Sequence, residues 1–535
     1  MTESASGETQ PVAEAAASAA GRAATLVAAG ILVSRVAGLA RNWALARFLG
    51  VSDATDALTA AFRIPNLLQN LFGEGVLSAS FIPVYAGLLA RGEQAEARRV
   101  ASAIAGLLSL VIALLVLVGI LATPILVDVL TPGFEGPKRD LAIRLVRILF
   151  PGAGMLVLSA WCLGILNSHR RFFVAYVAPV FWNLSIIGAL LYYGGSMADF
   201  PLAVVVAWAS VAGSFLQFAV QLPLVIRLAG AIRPTLDTRI AGVRRAARSF
   251  GPVLMGRGVV QISAYVDTVL ASLIASGALA ILSFAQVLYT LPVSLFGMAV
   301  SAAELPAMAS VTGTQEGIAA QLRARIASGA RRIAFLVIPS AVAFLAFGDM
   351  IAGMLFQWGE FSRADTLWVW ATLAGSTVGL LASTLGRLYS SAFYALHDTT
   401  TPFRFAVTRV AIALALGYFL ALRLPDWLGV NPRWGLVGLT AAAGIAAWVE
   451  YLLLRQRLSA RLGGARVGVS LLARLWGAGL LAAAAGWGAR LLTDAAPRLV
   501  GGFLVLAVFG ASYLGLAALL GVPQVRTMWS RSRAG

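Results

Sequence analysis

Four charged residues stand where lipid-buried helix is expected. Arg35, Arg41, Arg63 and Glu74 fall in two apolar segments near the start of a 535-residue chain that is 59% hydrophobic and only 12% charged. An ionised side chain at bilayer depth is costly, so it normally faces a bundle interior or a wet cavity and marks a pathway. Each residue of an ideal helix turns about 100°. Asp56, Arg63, Asn70 and Glu74 therefore lie within about 40° of one face, a polar stripe on an otherwise apolar span. The competing reading makes Asp56 and Arg63 an i,i+7 structural pair and lets Glu74 reach the membrane interface. Pro65 and Pro83 are expected to bend or break this helix, freeing backbone groups that need buried or wet surroundings. Arg35 and Arg41 are six residues apart, about 240° of turn, so both touch a cavity only if it wraps around the first span. Arg47 reads as a snorkelling interfacial residue.

The second half of the chain supplies a matching cation. Arg257 occupies the position equivalent to Arg35 under a shift of 222. The two halves are expected to bring arginines toward one another across a pseudo-symmetry axis. Guanidinium groups converging in low dielectric repel unless an anion joins them. Arginine's planar fork of donors suits the oxygens of a phosphate. The alternative for Arg257 is a local pair with Glu304 on a neighbouring antiparallel helix. Asp267 reads either as a cation or proton site or as an ordinary polar residue near a helix end.

The elements that carry these residues are membrane spans. The mean hydropathy is +0.85, and the charge-free runs Val100–Val127, Phe172–Ala198, Phe200–Ile226 and Leu499–Val525 each exceed the ~20 residues that cross the hydrocarbon core. The run Thr268–Ala303 holds the end of one span, a turn at Ser276-Gly277 and most of the next. The runs are too long, and lack the alternation, for barrel strands. The expected fold is all-α and polytopic, with about fourteen spans near 24–48, 56–87, 101–129, 141–167, 173–194, 201–226, 250–275, 278–305, 331–356, 366–394, 402–422, 434–455, 470–491 and 499–521. Basic clusters fall on every second loop, which places both termini in the cytoplasm.

The chain also repeats itself. Phe72-Gly73 and Pro83 have counterparts about 223 positions on, at Phe296-Gly297 and Pro306, and the two histidines, His169 and His397, are 228 apart. Two six-helix halves related by an axis along the membrane normal follow. The expected organisation is a disordered cytosolic tail over 1–22, an N-lobe over 23–229, a cytosolic linker over 230–249, a C-lobe over 250–457, two further helices over 458–525 and a tail over 526–535.

Several function classes are excluded or disfavoured. The net charge of +18 is spread in short clusters between apolar runs, a topology signal that argues against nucleic-acid binding. The lone cysteine, Cys162, allows no disulfide framework and no thiolate metal site. The first ~22 residues lack the basic region and cleavage site of a signal peptide. The histidines have no carboxylate or cysteine cluster at metal-ligand spacing, no outer loop is long enough for a catalytic domain, and no phosphate-cradling glycine loop is present. The expectation is a transporter, not an enzyme.

The motifs are similar to those of a known family. Ser34-Arg35-Val36-Ala37-Gly38-Leu39-Ala40-Arg41, Thr55-Asp56-Ala57, Phe62-Arg63-Ile64-Pro65-Asn66-Leu67-Leu68, Phe72-Gly73-Glu74-Gly75 and Phe81-Ile82-Pro83 resemble the signature of the MurJ (MviN) lipid II flippases. Gly251-Pro252, Gln261-Ile262-Ser263, Leu291-Pro292 and His397-Asp398-Thr399-Thr400-Thr401-Pro402 agree, so the likeness covers residues 24–525. It implies a fourteen-helix transporter of the multidrug/oligosaccharidyl-lipid/polysaccharide (MOP) superfamily in the bacterial cytoplasmic membrane. Such a protein carries an undecaprenyl-diphosphate-linked peptidoglycan precursor from the inner to the outer leaflet by alternating access, and its last two helices guide the lipid tail. The implied cavity arginines match Arg35 and Arg41, and the acidic residues match Asp56 and Glu74. The chain departs from the family pattern at Gln69-Asn70, where a basic pair is common, at Asn42, where an acidic residue is common, and at Val287, where an arginine is common. Arg257 is read as replacing the charge missing at Val287.

The combined candidate substrate-binding set is Arg35, Arg41, Asp56, Arg63, Asn66, Glu74 and Arg257, with Asp267 and Glu304 as gate or ion-coupling candidates. No bound cofactor is expected; Na⁺ coupling, H⁺ coupling or the membrane potential is the energy source. The expected partners are lipid II, membrane lipids and cell-wall synthesis proteins, with no nucleic acid. The alternatives carried from sequence are a MOP-type exporter of another polyprenyl-linked saccharide or of cationic drugs, and a non-transporting scaffold for cell-wall synthesis.

Overall fold

The computed structural model describes the backbone of residues 9–311, 314–464 and 468–525; the side chains of 1–26, 28, 74, 251–264, 302, 303, 306, 307, 309 and 315 lie outside the described set. Of the expected disordered tail over 1–22, residues 1–8 lie outside the described set, whereas the backbone of 9–22 is helical and forms the start of α1; the expected tail over 526–535 lies outside the described set. Among the described residues the chain is helical, with no strand. It forms two compact units, Met1–Tyr265 and Val266–Gly535.

Unit 1 contains α1 (Thr9–Leu49), α2 (Asp53–Phe72), α3 (Glu74–Ser80), α4 (Ile82–Ala90), α5 (Gln94–Leu121), α6 (Thr123–Leu130), α7 (Gly136–Ser168), α8 (Phe172–Val177), α9 (Pro179–Tyr193), α10 (Asp199–Ala229) and most of α11 (Ala241–Ile274). Helix α7 lies at its centre, packed by α2, α5 and α10. Its core gathers Phe81, Tyr85, Val100, Trp161, Cys162 and Leu166, so the lone thiol is buried among apolar side chains as its setting in sequence implied.

Unit 2 follows with α12 (Ala278–Pro292), a π-helical segment (Val293–Met298), α13 (Ala299–Ala309), α14 (Gln315–Phe356), α15 (Arg363–Thr377), α16 (Leu380–Ala395), α17 (Thr400–Tyr418), α18 (Leu424–Leu428), α19 (Gly435–Leu462), α20 (Val469–Leu492) and α21 (Arg498–Leu519). Helix α19 packs on α15, α16 and α17, while α14 carries the C-terminal pair α20–α21. Glycines set that last contact. A Cβ at Gly486 would stand 2.6 Å from the Phe347 ring, one at Gly479 would stand 3.1 Å from Val342, and one at Gly502 would overlap Met354.

Eleven helical segments among the described residues are long and apolar enough to cross a membrane, and α15 with α16, bent by 44°, makes a twelfth if counted as one span. The remaining two of the fourteen expected, near 24–48 and 250–275, coincide with α1 and α11, parts of which lie outside the described set.

The second span is interrupted, at Gly73 and again just ahead of Pro83, but not at Pro65. Helix α2 runs through Pro65 and ends at Phe72, with Gly73 extended at φ −83°, ψ −151°; a second break falls at Phe81. Pro83 occupies the first turn of α4, where its missing N–H costs nothing. The counterpart pair Phe296-Gly297 lies in the π-helical segment, so both Phe-Gly pairs mark a defect in the α-helical ladder. The two halves also share a helix ending. Arg170 and His397, 227 positions apart, are the two described non-glycine residues with left-handed backbone, at φ 58° and 56°. Each is followed by an N–H that reaches back to close the last turn, Arg171 N to Leu166 O and Asp398 N to Phe393 O. The backbone match therefore pairs Arg170 with His397, which puts the two histidines one residue out of register.

Candidate functional site

The loop Gly50–Ser52 joins α1 to α2, and the charged residues can be located by counting from it. Ser52 caps α2, its hydroxyl accepting from Thr55 N. Asp53 and Asp56 occupy the first turn, where the exposed N–H groups of the helix favour a negative charge. Asp56 is 1% exposed and its partner is Lys138, near the start of α7, whose ammonium lies 2.6 Å from Asp56 Oδ2 and 2.8 Å from Asp53 Oδ1. The face of Phe134 lies 4.5 Å from the same ammonium.

Deeper along the same helices stand two arginines. Arg41 is eight residues back from the end of α1 and Arg63 ten residues into α2, about 12 and 15 Å from the connecting loop at 1.5 Å per residue. The carbonyl of Arg63 accepts a hydrogen bond from the Tyr265 hydroxyl at 3.0 Å, which ties α2 to α11 within unit 1.

Arg41 sits in a built environment. Its guanidinium lies 4.7 Å from the centroid of the Trp182 ring, on α9. Its Nη2 donates to Asn42 Oδ1 at 3.2 Å, while Nε is buried without a hydrogen-bond partner among the described residues. At Asn42, where the family resemblance favours an acidic residue, the neutral amide satisfies one donor but contributes no negative charge. The next residue after Trp182, Asn183, is buried, with its Nδ2 donating to Pro179 O and its Oδ1 without a partner among the described residues. An orphaned donor and an orphaned acceptor on neighbouring helices are costly unless something else meets them.

The other candidates are distributed as follows. Arg35 stands on an exposed stretch of α1 beside Leu32 and Val36, Asn66 is exposed on α2, and Asp267 is half-buried on α11. Arg47 lies against Trp43 and Phe48. The side chains of Glu74 and Arg257 lie outside the described residues, so the convergence of arginines from both halves, which depends on Arg257, does too. Glu304 lies 3.7 Å from Arg325 and 3.9 Å from Arg332, both on α14.

Sequence reasoning missed three groups that the structure brings out. Lys138 balances Asp56 from 82 residues away. Trp182 supports Arg41. In unit 2, Asp349 is held by Arg490 at 3.1 and 2.8 Å and by Arg363 at 2.9 Å. Of the three, Asp349 alone had a legible signal, a carboxylate interrupting an apolar run.

These features define a class: a multi-pass helical membrane protein of two helical units, with a guanidinium held inside an apolar span. The sequence profile described as "Lipid II flippase MurJ" matches residues 45–510. A relative from Burkholderia cenocepacia named "Lipid II flippase MurJ" is 31% identical over 440 residues, 81% of this chain and 82% of its own. The fold is that of a structure described as "Lipid II flippase MurJ, inward closed conformation", with a TM-score of 0.76, 22% identity and coverage of 92% of this chain and 98% of the other. A multidrug resistance MATE family transporter of the MOP superfamily, in an inward-facing conformation, shares it at a TM-score of 0.62 and 17% identity, covering 80% and 95% of the two chains. The chain belongs to the MurJ family.

Proposed function

We propose that this chain is a lipid II flippase, moving an undecaprenyl-diphosphate-linked peptidoglycan precursor from the inner to the outer leaflet of the bacterial cytoplasmic membrane by alternating access. Family membership across residues 45–510 supports the substrate class. The observation that carries the chemistry is Arg41, a cation about 12 Å along α1 from the loop that ends it, for which the described neighbours provide one acceptor, Asn42 Oδ1, and leave Nε without one. A diphosphate supplies the oxygens and the negative charge that this group lacks. Arg35, Arg63, Asn66, Glu74 and Arg257 complete the proposed headgroup contacts, and α20–α21 form the proposed path for the polyprenyl tail.

An export pump for cationic drugs needs acidic walls, and a scaffold has no use for a guanidinium inside a span. Both are the weaker readings.

No nucleotide site is needed to power the step. Moving one charge through 100 mV is worth about 2.3 kcal/mol, so a dianionic head driven outward by an inside-negative potential gains roughly twice that. The competing source is a Na⁺ or H⁺ gradient acting through Asp267. The basic loop clusters support an orientation with both termini in the cytoplasm.

The test is depletion of the resident flippase in a bacterium carrying this chain, followed by an assay of which leaflet holds the precursor. The wild-type chain restores outer-leaflet precursor and growth, and Arg41→Ala does not. Inner-leaflet accumulation with the wild-type chain well expressed would refute the proposal.

A further inference from the structure

We infer that Trp182 is a positioning residue for Arg41: an aromatic platform that holds the guanidinium and leaves its N–H edge for the phosphate oxygens of the substrate. The inference rests on the proposed flippase reading and names how that site prepares its cation. The guanidinium carbon lies 4.7 Å from the ring centroid, inside the roughly 6 Å over which the electron-rich face of an indole attracts a cation.

Two contacts fix the ring and a third fixes the backbone that carries it. Its Nε1 donates to Ser210 Oγ on α10 at 2.9 Å. Phe62 meets it edge-on, at 6.0 Å between centroids and 77° between planes. Behind it α10 comes so close that a Cβ on Gly213 would stand 2.9 Å from Trp182 Cα. An indole held this way offers one face in one orientation.

The choice of an aromatic partner has a chemical consequence. A carboxylate beside Arg41 would occupy its donors and cancel its charge, and the substrate would have to displace it. A ring engages the flat face of the guanidinium and leaves the in-plane donors, which are the ones that bind phosphate bidentately. Here Nη2 is taken by Asn42 and the buried Nε has no partner. Phe62 immediately precedes Arg63 in α2, so the ring that braces Trp182 is also next in chain to the other arginine set deep along these helices.

The experiment uses the purified full-length chain in nanodiscs of neutral lipid, with undecaprenyl diphosphate as the probe and thermal unfolding as the check on folding. Trp182→Leu is expected to weaken binding about three- to tenfold, and Trp182→Phe, which keeps an aromatic face, to stay within about twofold of wild type. Combined with Arg41→Ala, Trp182→Leu is expected to add nothing further, because the platform acts only through the arginine. Trp182→Met, of similar bulk but without a ring, repeats the test if the leucine variant does not fold. Wild-type affinity in folded Trp182→Leu or Trp182→Met, or losses that multiply in the double variant, would overturn the inference. The two readings fail differently. Undiminished binding by Arg41→Ala removes the substrate role of the arginine itself, whereas loss with Arg41→Ala but not with Trp182→Leu removes only the platform.

Discussion

Lys138 Nζ and Asp56 Oδ2 lie 2.6 Å apart, joining the first turns of α7 and α2 across 82 residues of chain. With Asp56 1% exposed, that ammonium is a close support for its charge. Lys138→Met should weaken the compensation of a buried anion and cost on the order of 1–3 kcal/mol. Adding Asp56→Asn should recover much of the loss, read by thermal unfolding in detergent. If the single variant unfolds like wild type, the pair contributes nothing to stability. If the double variant is stable and still complements a depleted strain, Asp56 serves the fold and not the substrate.

The two Phe-Gly breaks should respond differently to an added methyl group. At Gly297 the new Cβ would stand 2.8 Å from Thr384 Cγ2, a side chain. Gly297→Ala is expected to lower transport and thermal stability, and Thr384→Ser to restore both by removing that methyl. At Gly73 the obstruction is the backbone carbonyl of Gln69, so Gly73→Ala should be rescued by no substitution of Gln69. Rescue of Gly73→Ala by Gln69→Ala would show that the side chain, not the main chain, sets the break.

Asp349 should act as the pin of the C-terminal pair. It is 5% exposed and takes a two-pronged contact from Arg490 on α20 together with one from Arg363 on α15. Asp349→Asn is expected to cost on the order of 2–3 kcal/mol, below the range for a fully buried pair because both arginines keep contact with solvent. Limited proteolysis near residues 493–497 should accelerate. Unchanged cleavage there would remove this role.

Asp398 gives a pH signature outside the spans. The N–H of Thr401 and then its hydroxyl hold the carboxyl below its ordinary range, with Arg461 at 2.8 Å adding to the effect. Because the folded value is the lower one, the stabilisation is fully present above the unfolded value of about 3.9 and is lost as pH falls through the folded one. Wild type should be more stable than Asp398→Asn at neutral pH, with the difference shrinking once pH drops below about 4. A constant difference from pH 7 to pH 3 would contradict this account.

Much of the fold was legible because lipid imposes a simple rule on composition. Runs such as Phe200–Ile226 had to be helices crossing a membrane, and α10 covers this one. Arg41 was legible for the same reason, as a charge where none is tolerated without purpose. Its support was not. Trp182 in an apolar run has the same pattern as any lipid-facing or core aromatic, and only the packing of α9 against α1 and α10 sets it beside the arginine. Lys138 looked like a loop charge ahead of the next span, since nothing in local spacing connects it to Asp56. The break in the second span went to Gly73 and not to Pro65. A proline inside a helix removes one donor, and here α2 continues past it, whereas the extended backbone at Gly73 interrupts the ladder outright.

The glycine contacts of α14 with α20 and α21 have a mechanical consequence. Within lipid there is no water to expel, so helices rely on close surface match, here beside polar contacts such as Arg490 with Asp349. Gly479, Gly486 and Gly502 allow that match at three successive levels, which makes the last two helices a rigid rail of unit 2. A long isoprenoid chain lying along such a rail would meet a track of constant shape at every stage of the cycle.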